Sequence, residues 1–111
     1  MYEFLDGGHQ DRIYWAAMAD DEVAGIVFLW SKDTKVPWLG IAVTEKWKGH
    51  HLGRRLMTTA KEWALAAGAG GILLTTAPEN VRGQGLYERM GYEHIGTYHD
   101  GEKLYLLTFA N

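Results

Sequence analysis

Residues 13–19 and 23–30 are apolar and rich in aromatic or β-branched side chains, and the polar Asp20-Asp21-Glu22 lies between them. This pattern predicts a β-hairpin. Residues 31–35 then separate the second strand from Pro37-Trp38-Leu39-Gly40-Ile41-Ala42-Val43, where the proline is tolerated only at the strand's start. A three-stranded meander results. After the polar residues 44–49, Leu52, Leu56, Ala60, Trp63, Ala64 and Ala67 recur at three- and four-residue spacing and stop at Gly68. That is an amphipathic helix with a glycine terminator. Residues 72–77 form a short apolar strand, and a strand-helix-strand passage of this length implies a right-handed crossover to a parallel neighbour. Leu86, Tyr87 and Met90 mark a shorter helix ending at Gly91, and residues 92–98 and 103–109 flank the tight-turn pair Asp100-Gly101. The predicted order is β-β-β-α-β-α-β-β: an α/β (α+β) chain with a mixed, mostly antiparallel sheet. At 111 residues, it has room for one domain, spanning 1–111.

Composition mainly excludes. Hydrophobic residues at 47% and charged residues at 23% fit a packed core and argue against disorder. A net charge of −3 disfavours nucleic acid and anionic membranes as partners. The chain has no cysteine, which excludes a disulfide framework, a thiolate zinc site and a cysteine acyl-enzyme. It is compatible with a cytoplasmic location, and no metal is expected. No apolar run approaches the roughly 18 residues of a membrane span, and the acidic start lacks a signal peptide's regions.

Charge distribution adds more. Residues 1–22 carry Glu3, Asp6, Asp11, Asp20, Asp21 and Glu22 against Arg12, whereas residues 45–62 carry Lys46, Lys48, Arg54, Arg55 and Lys61 against Glu45 and Glu62. The basic segment includes Lys48-Gly49-His50-His51-Leu52-Gly53-Arg54, which runs directly into the first helix. The first amides of a helix lack internal partners and the macrodipole adds positive potential, so an anion such as a pyrophosphate fits there. Two arginines in a first turn oppose the dipole, an arrangement that suits a docked anion. The bland reading is a solvated face with glycines that serve only turning. No Gly-Lys is followed by Ser or Thr, and Gly83-Gln84-Gly85 lacks a third glycine at Glu88, so both nucleotide-loop motifs fail. Asn80 and Tyr87 are seven apart, hence on one helix face and about 10 Å apart along the axis. An extended ligand arm could touch both; alone, Tyr87 reads as a half-buried packing residue.

Together these segments resemble the GNAT family of N-acetyltransferases from about residue 13 to the C-terminus. In the family's acetyl-CoA loop register, Lys48 falls at the Arg/Gln position, His51 at the middle glycine and Gly53 at the last. The family's later Asn, six residues, Tyr element is present as Asn80 and Tyr87, followed by Gly91-Tyr92. The resemblance implies acetyl-CoA as co-substrate, held by the loop from Lys48 through Arg54, His50 included. It also implies that the strand backbone at Ile41, Ala42 and Val43 bonds the pantetheine and that the two central strands splay. Asn80 would hold the arm and Tyr87 would protonate the departing thiolate; from a phenol near pKa 10 to a thiol near 8.5 that transfer is uphill by only about 1.5 pKa units, a cost a positioned general acid can bear. The implied reaction is direct attack by a primary amine, on a small molecule or a protein, in a ternary complex; the alternative is a non-catalytic CoA-binding or interaction module. His51 stands where the family prefers glycine, so a backbone conformation suited to a residue with Cβ is expected there.

The family's opening strand and two helices are expected to be absent, which opens two questions. One is the acceptor site, for which strand direction gathers Trp30, Asp33, Trp38, His99 and Asp100 opposite the phosphate loop. The other is the bare edge at residues 13–19, which invites pairing. Either residues 1–8 fold back through Asp6-Gly7-Gly8, or a second copy covers the edge in a homodimer, the reading favoured here.

Overall fold

A computed structural model describes residues 3–9, 11–32 and 34–109. The strands are β1 (Glu3–His9), β2 (Arg12–Ala19), β3 (Glu22–Trp30), β4 (Trp38–Val43), β5 (Gly71–Thr76), β6 (Glu93–Thr97) and β7 (Lys103–Thr108). Helix α1 (Leu52–Ala66) joins β4 to β5, and α2 (Val81–Arg89) joins β5 to β6. The sheet order is β1-β2-β3-β4-β5-β7-β6, antiparallel except where β4 meets β5.

The mixed, mostly antiparallel class matches the sequence expectation, but the described residues form seven strands rather than six. Residues 3–9 add a first strand that pairs along β2 from Glu3↔Met18 to His9↔Arg12. An opening strand is therefore present, and no helix separates it from β2 among the described residues. Asp6, Gly7 and Gly8 lie within β1, and the chain reverses after His9. Gly7 has a packing reason: a Cβ there would collide with the Tyr14 ring across the strand pair. Because β1 covers β2, the bare edge that motivated a homodimer does not exist, and the fold-back is the alternative found.

Period-two alternation gives the sheet two distinct faces. Trp15, Ala17, Val27, Leu29 and Leu39 are buried in one cluster with Leu52, Leu56, Met57, Ala60 and Ala64 of α1. Trp63 meets Trp15 edge-on, with ring centroids 6.3 Å apart. The alternate positions Ile26, Phe28, Trp30 and Trp38 are only half-buried. At the β2–β3 hairpin, Asp20 (φ 53°) and Asp21 (φ 62°) both take the left-handed conformation of a two-residue turn, which aspartate tolerates better than most residues.

The parallel contact between β4 and β5 is brief. It consists of the Trp38↔Leu73 pair, beside a bond from Leu73 N–H to the Pro37 carbonyl of 3.0 Å. Beyond it, toward Val43 and Thr76, no further ladder pair forms among the described residues, and the strands part. The starts of α1 and α2 gather at that open end, where Leu52, Gly53 and Asn80 line one groove with Ile41, Ala42 and Val43.

Candidate functional site

Past its contact with β5, strand β4 floors a groove of about 770 Å³. Ile41, Ala42 and Val43 line it from β4, and Lys48, Gly49, His51, Leu52, Gly53 and Arg54 from the loop and first turn of α1. Asn80 and Tyr87 line it from α2. Thus every residue assigned to the cofactor from the sequence borders one groove, except His50. His50 is exposed and packs edge-on against Trp47, with ring centroids 6.0 Å apart.

The first turn of α1 offers free donors. Arg55 N–H makes the first helical bond, to the His51 carbonyl at 3.2 Å, and among the described residues no side chain caps the preceding amides of Leu52, Gly53 and Arg54. Gly53 keeps this end close to its neighbours: an added Cβ would lie 3.2 Å from Leu86 Cδ2 and 4.0 Å from both Ile41 Cδ1 and Val43 Cγ2. His51 departs from the expectation. Its backbone is left-handed, at φ 62° and ψ 15°, a region that disfavours residues with a Cβ although histidine visits it more than most. The chain must turn sharply here to start the helix, and this histidine takes the conformation for which glycine is preferred.

Electrostatics favour an anion. Lys46 pairs with Glu22 at 3.2 Å and Lys48 with Glu45 at 3.1 Å, exposed and solvent-screened contacts that a ligand can displace. Glu22 also accepts the Trp47 indole N–H at 3.0 Å. This bond, with the Lys46 contacts, holds the Glu22 carboxyl below its ordinary pKa and tethers the short turn Glu45–Trp47 to β3. Arg82 and Arg89 add two further cations to the groove wall. The sequence reading missed both, along with Glu45, Trp47, Gly83 and Leu86. A signal existed, because Arg82 and Arg89 share the seven-residue spacing that singled out Asn80 and Tyr87.

Helix α2 is anchored from below. Gln84 donates to the Pro78 and Ala77 carbonyls at 2.8 and 3.2 Å and accepts from Lys103 Nζ at 3.1 Å. Asn80 caps the helix: its Oδ1 accepts Gly83 N–H at 3.1 Å, and its Nδ2 donates to Thr76 Oγ1 at 3.0 Å. A Cβ at Gly83 would collide with that cap. Tyr87 is 6% exposed, and burial raises its phenol pKa against the lowering effect of a hydrogen bond with Thr76. Thr76, which accepts from Asn80, thus also bears on the Tyr87 phenol, a relation not read from the sequence.

A second concavity, of about 350 Å³, adjoins the groove and shares Ile41, Ala42 and Tyr87 with it. Trp30, of the five acceptor candidates, lines it. Trp38 lies parallel to Trp30 at 6.4 Å and 8°, Tyr98 meets Trp38 at 5.3 Å, and His99 meets Tyr98 at 4.4 Å. A row of ring contacts thus links three candidates through Tyr98, which the sequence reading did not single out. Asp100 shares the exposed turn His99–Gly101, and neither it nor His99 borders the concavity. Asp33 lies outside the described residues.

Comparison with known proteins gives a consistent picture. The sequence model of the acetyltransferase (GNAT) family matches residues 1–92. N-acetylaspartate synthetase of Mus musculus is 28% identical over 85 residues, covering 75% of this chain; the chain spans only 28% of that relative's length. Among solved structures, the acetyltransferase of Bacillus subtilis in complex with CoA superposes with a TM-score of 0.82 at 17% identity, covering 99% of this chain and 100% of that one. An N-acetyltransferase of Thermoplasma acidophilum in complex with coenzyme A gives 0.80 at 16% identity, covering 89% and 62%. At these identities the structural likeness establishes the fold.

Proposed function

This chain belongs to the acetyltransferase (GNAT) family, and on that premise we propose that it transfers an acetyl group from acetyl-CoA to a primary amine by direct attack, with both substrates bound. One observation carries the proposal: the groove and the second concavity adjoin where β4 has parted from β5 and share Ile41, Ala42 and Tyr87 as common lining. A cofactor on one side and an acceptor on the other would bring their reacting atoms together at that junction.

The chain's own residues fit CoA. The free amides of Leu52, Gly53 and Arg54 take the pyrophosphate, with Lys48, Arg54, Arg82 and Arg89 supplying charge. The backbone of Ile41 and Val43 receives the pantetheine amides in place of a neighbouring strand. Asn80 keeps one N–H and one lone pair beyond its capping bonds, enough to hold the arm. Acetyl-CoA supplies the activated acyl carbon. The amine nitrogen bonds to that carbon as the carbon–sulfur bond breaks, and backbone N–H near Ala42 stabilises the charge that develops on oxygen. Tyr87 gives its proton to the departing sulfur, and the proton shed by nitrogen returns to Tyr87 through water. Burial keeps Tyr87 protonated, the state a general acid requires.

The test is acetyl-CoA turnover against a mixed amine panel, read as free thiol and as product mass, with Tyr87→Phe as control. Aspartate enters the panel because the mouse relative is named for its N-acetyl derivative. Acetylated product from the wild type, and little from the variant, is expected. CoA binding without acetylation of any amine would favour a non-catalytic CoA-binding module.

A further inference from the structure

The second concavity has a definite chemical character. Leu39, Ile41 and Leu74 give it apolar walls, and Phe28 and Trp30 contribute ring faces 5.2 Å apart at 30°. Gly40 makes this possible, since a Cβ there would collide with the Phe28 ring. Phe28 therefore lies flat across the strand and forms a floor. Among the described lining residues, the polar side-chain groups are the Trp30 indole N–H, the Thr75 hydroxyl and the Tyr87 phenol. None is a carboxylate or a cation. Beyond Trp30 the aromatic surface continues through Trp38 to Tyr98.

Building on the acetyl-transfer reading, we propose that the acceptor is a primary amine carried by a flat aromatic body and bearing no carboxylate. Its ring would lie against Phe28 and Trp30, and its nitrogen would reach the junction at Tyr87. The volume of about 350 Å³ suits a ligand of one or two fused rings. The lining also selects by charge. A dicarboxylic amino acid would bury two anions without a partner, and a polyamine would bury surplus cations without a carboxylate. An arylalkylamine has a single ionisable group. An apolar site disfavours its ammonium form, so the nitrogen arrives as the free base that attack requires. The surrounding pocket thereby does part of the work of a general base, a role for which the lining offers no carboxylate or imidazole.

Two measurements test this. Saturation-transfer NMR with 2-phenylethylamine, aspartate and spermidine, each with and without CoA, reports binding independently of turnover. Signal from phenylethylamine, competed by tryptamine and lost in Trp30→Ala, is expected, with none from the other two. In the turnover assay kcat/KM for tryptamine should exceed that for aspartate and spermidine by at least about tenfold. Trp30→Ala should lower it about tenfold while leaving calorimetric CoA affinity unchanged, and Trp30→Phe should restore most of the loss. Aspartate or spermidine as the better substrate overturns the proposal while leaving acetyl transfer intact. Loss of CoA binding removes acetyl transfer, and the NMR arm still decides the pocket. Absence of phenylethylamine signal, including exclusion by a second copy seated on the aromatic row and visible in sedimentation, overturns the proposal.

Discussion

The two concavities that meet at Tyr87 are assembled by opposite means. The larger groove is built from short continuous segments: 41–43, 45–54 and 80–89 supply its lining. The smaller one takes two alternate positions of β3, four consecutive positions of β4, two positions of β5 and one ring from α2. The first gathers free amides and cations; the second gathers rings and methyl groups. A phosphate site can be written as a loop plus a helix start, because backbone donors do the binding. A face for an apolar body must be composed across strands, because it needs area.

Breaking the junction should produce the largest effect. Tyr87→Phe preserves packing against Tyr92 and Tyr105, whose ring centroids lie 6.3 and 6.0 Å away, and removes only the hydroxyl. Turnover should fall by roughly 10² to 10⁴ while CoA affinity holds. Steady-state rates within a few-fold of wild type would assign Tyr87 to packing alone.

On the groove side, Gly53→Val places methyl groups where Leu86 is already at the contact limit and where the pyrophosphate would approach. CoA affinity should drop by more than about tenfold, or 1.4 kcal/mol, by calorimetry, with a smaller change in folding stability. If affinity is unchanged, the groove is not the phosphate site.

High pH separates the shared wall from both concavities. Tyr87 and Tyr92 have phenol pKa values raised by burial, and the Tyr92 hydroxyl has no hydrogen-bond partner among the described residues. A pKa raised in the folded state gives stability that is complete below the unfolded value near 10 and is lost as pH rises through the folded value. Urea midpoints should therefore hold steady below pH 10 and decline above it. Tyr92→Phe, which removes an unpartnered hydroxyl, should lessen the decline. The catalytic rate should not fall for want of the Tyr87 proton until above pH 10.

The smallest effect belongs to His51. His51→Gly relieves left-handed strain of roughly 1–2 kcal/mol, offset by about 0.5–1 kcal/mol of glycine entropy in the unfolded chain. A net gain of about 0 to 1.5 kcal/mol in chemical denaturation, with CoA affinity nearly constant, is expected. Destabilisation would mean that the imidazole makes a contact worth more than the strain.

The same contrast explains what was readable in the chain. The groove was legible almost residue by residue, because its parts are contiguous and their spacing survives in one dimension. Arg82 and Arg89 escaped notice only because charge on an exposed helix face usually has no site to serve. The smaller concavity was legible in composition but not in membership. Trp30 and Trp38 stand opposite each other as a ladder pair, and Phe28 over Gly40 is another, yet both depend on the β3–β4 register. Strand β1 was missed for a related reason: Asp6-Gly7-Gly8 reads locally as a turn, and only pairing with β2, where Gly7 makes room for Tyr14, turns it into a strand. The left-handed His51 was hidden because histidine carries no strong backbone signal.

The account rests most heavily on the amides at the start of α1. Amide hydrogen exchange at Leu52, Gly53 and Arg54, followed by NMR with and without saturating CoA, tests them directly. These three N–H groups precede the first helical bond and lack a side-chain cap, so they should exchange readily in the free protein. They should become selectively protected when a pyrophosphate accepts their hydrogen bonds. Unchanged exchange at all three in a protein demonstrably loaded with CoA would contradict the account and move the phosphate site elsewhere.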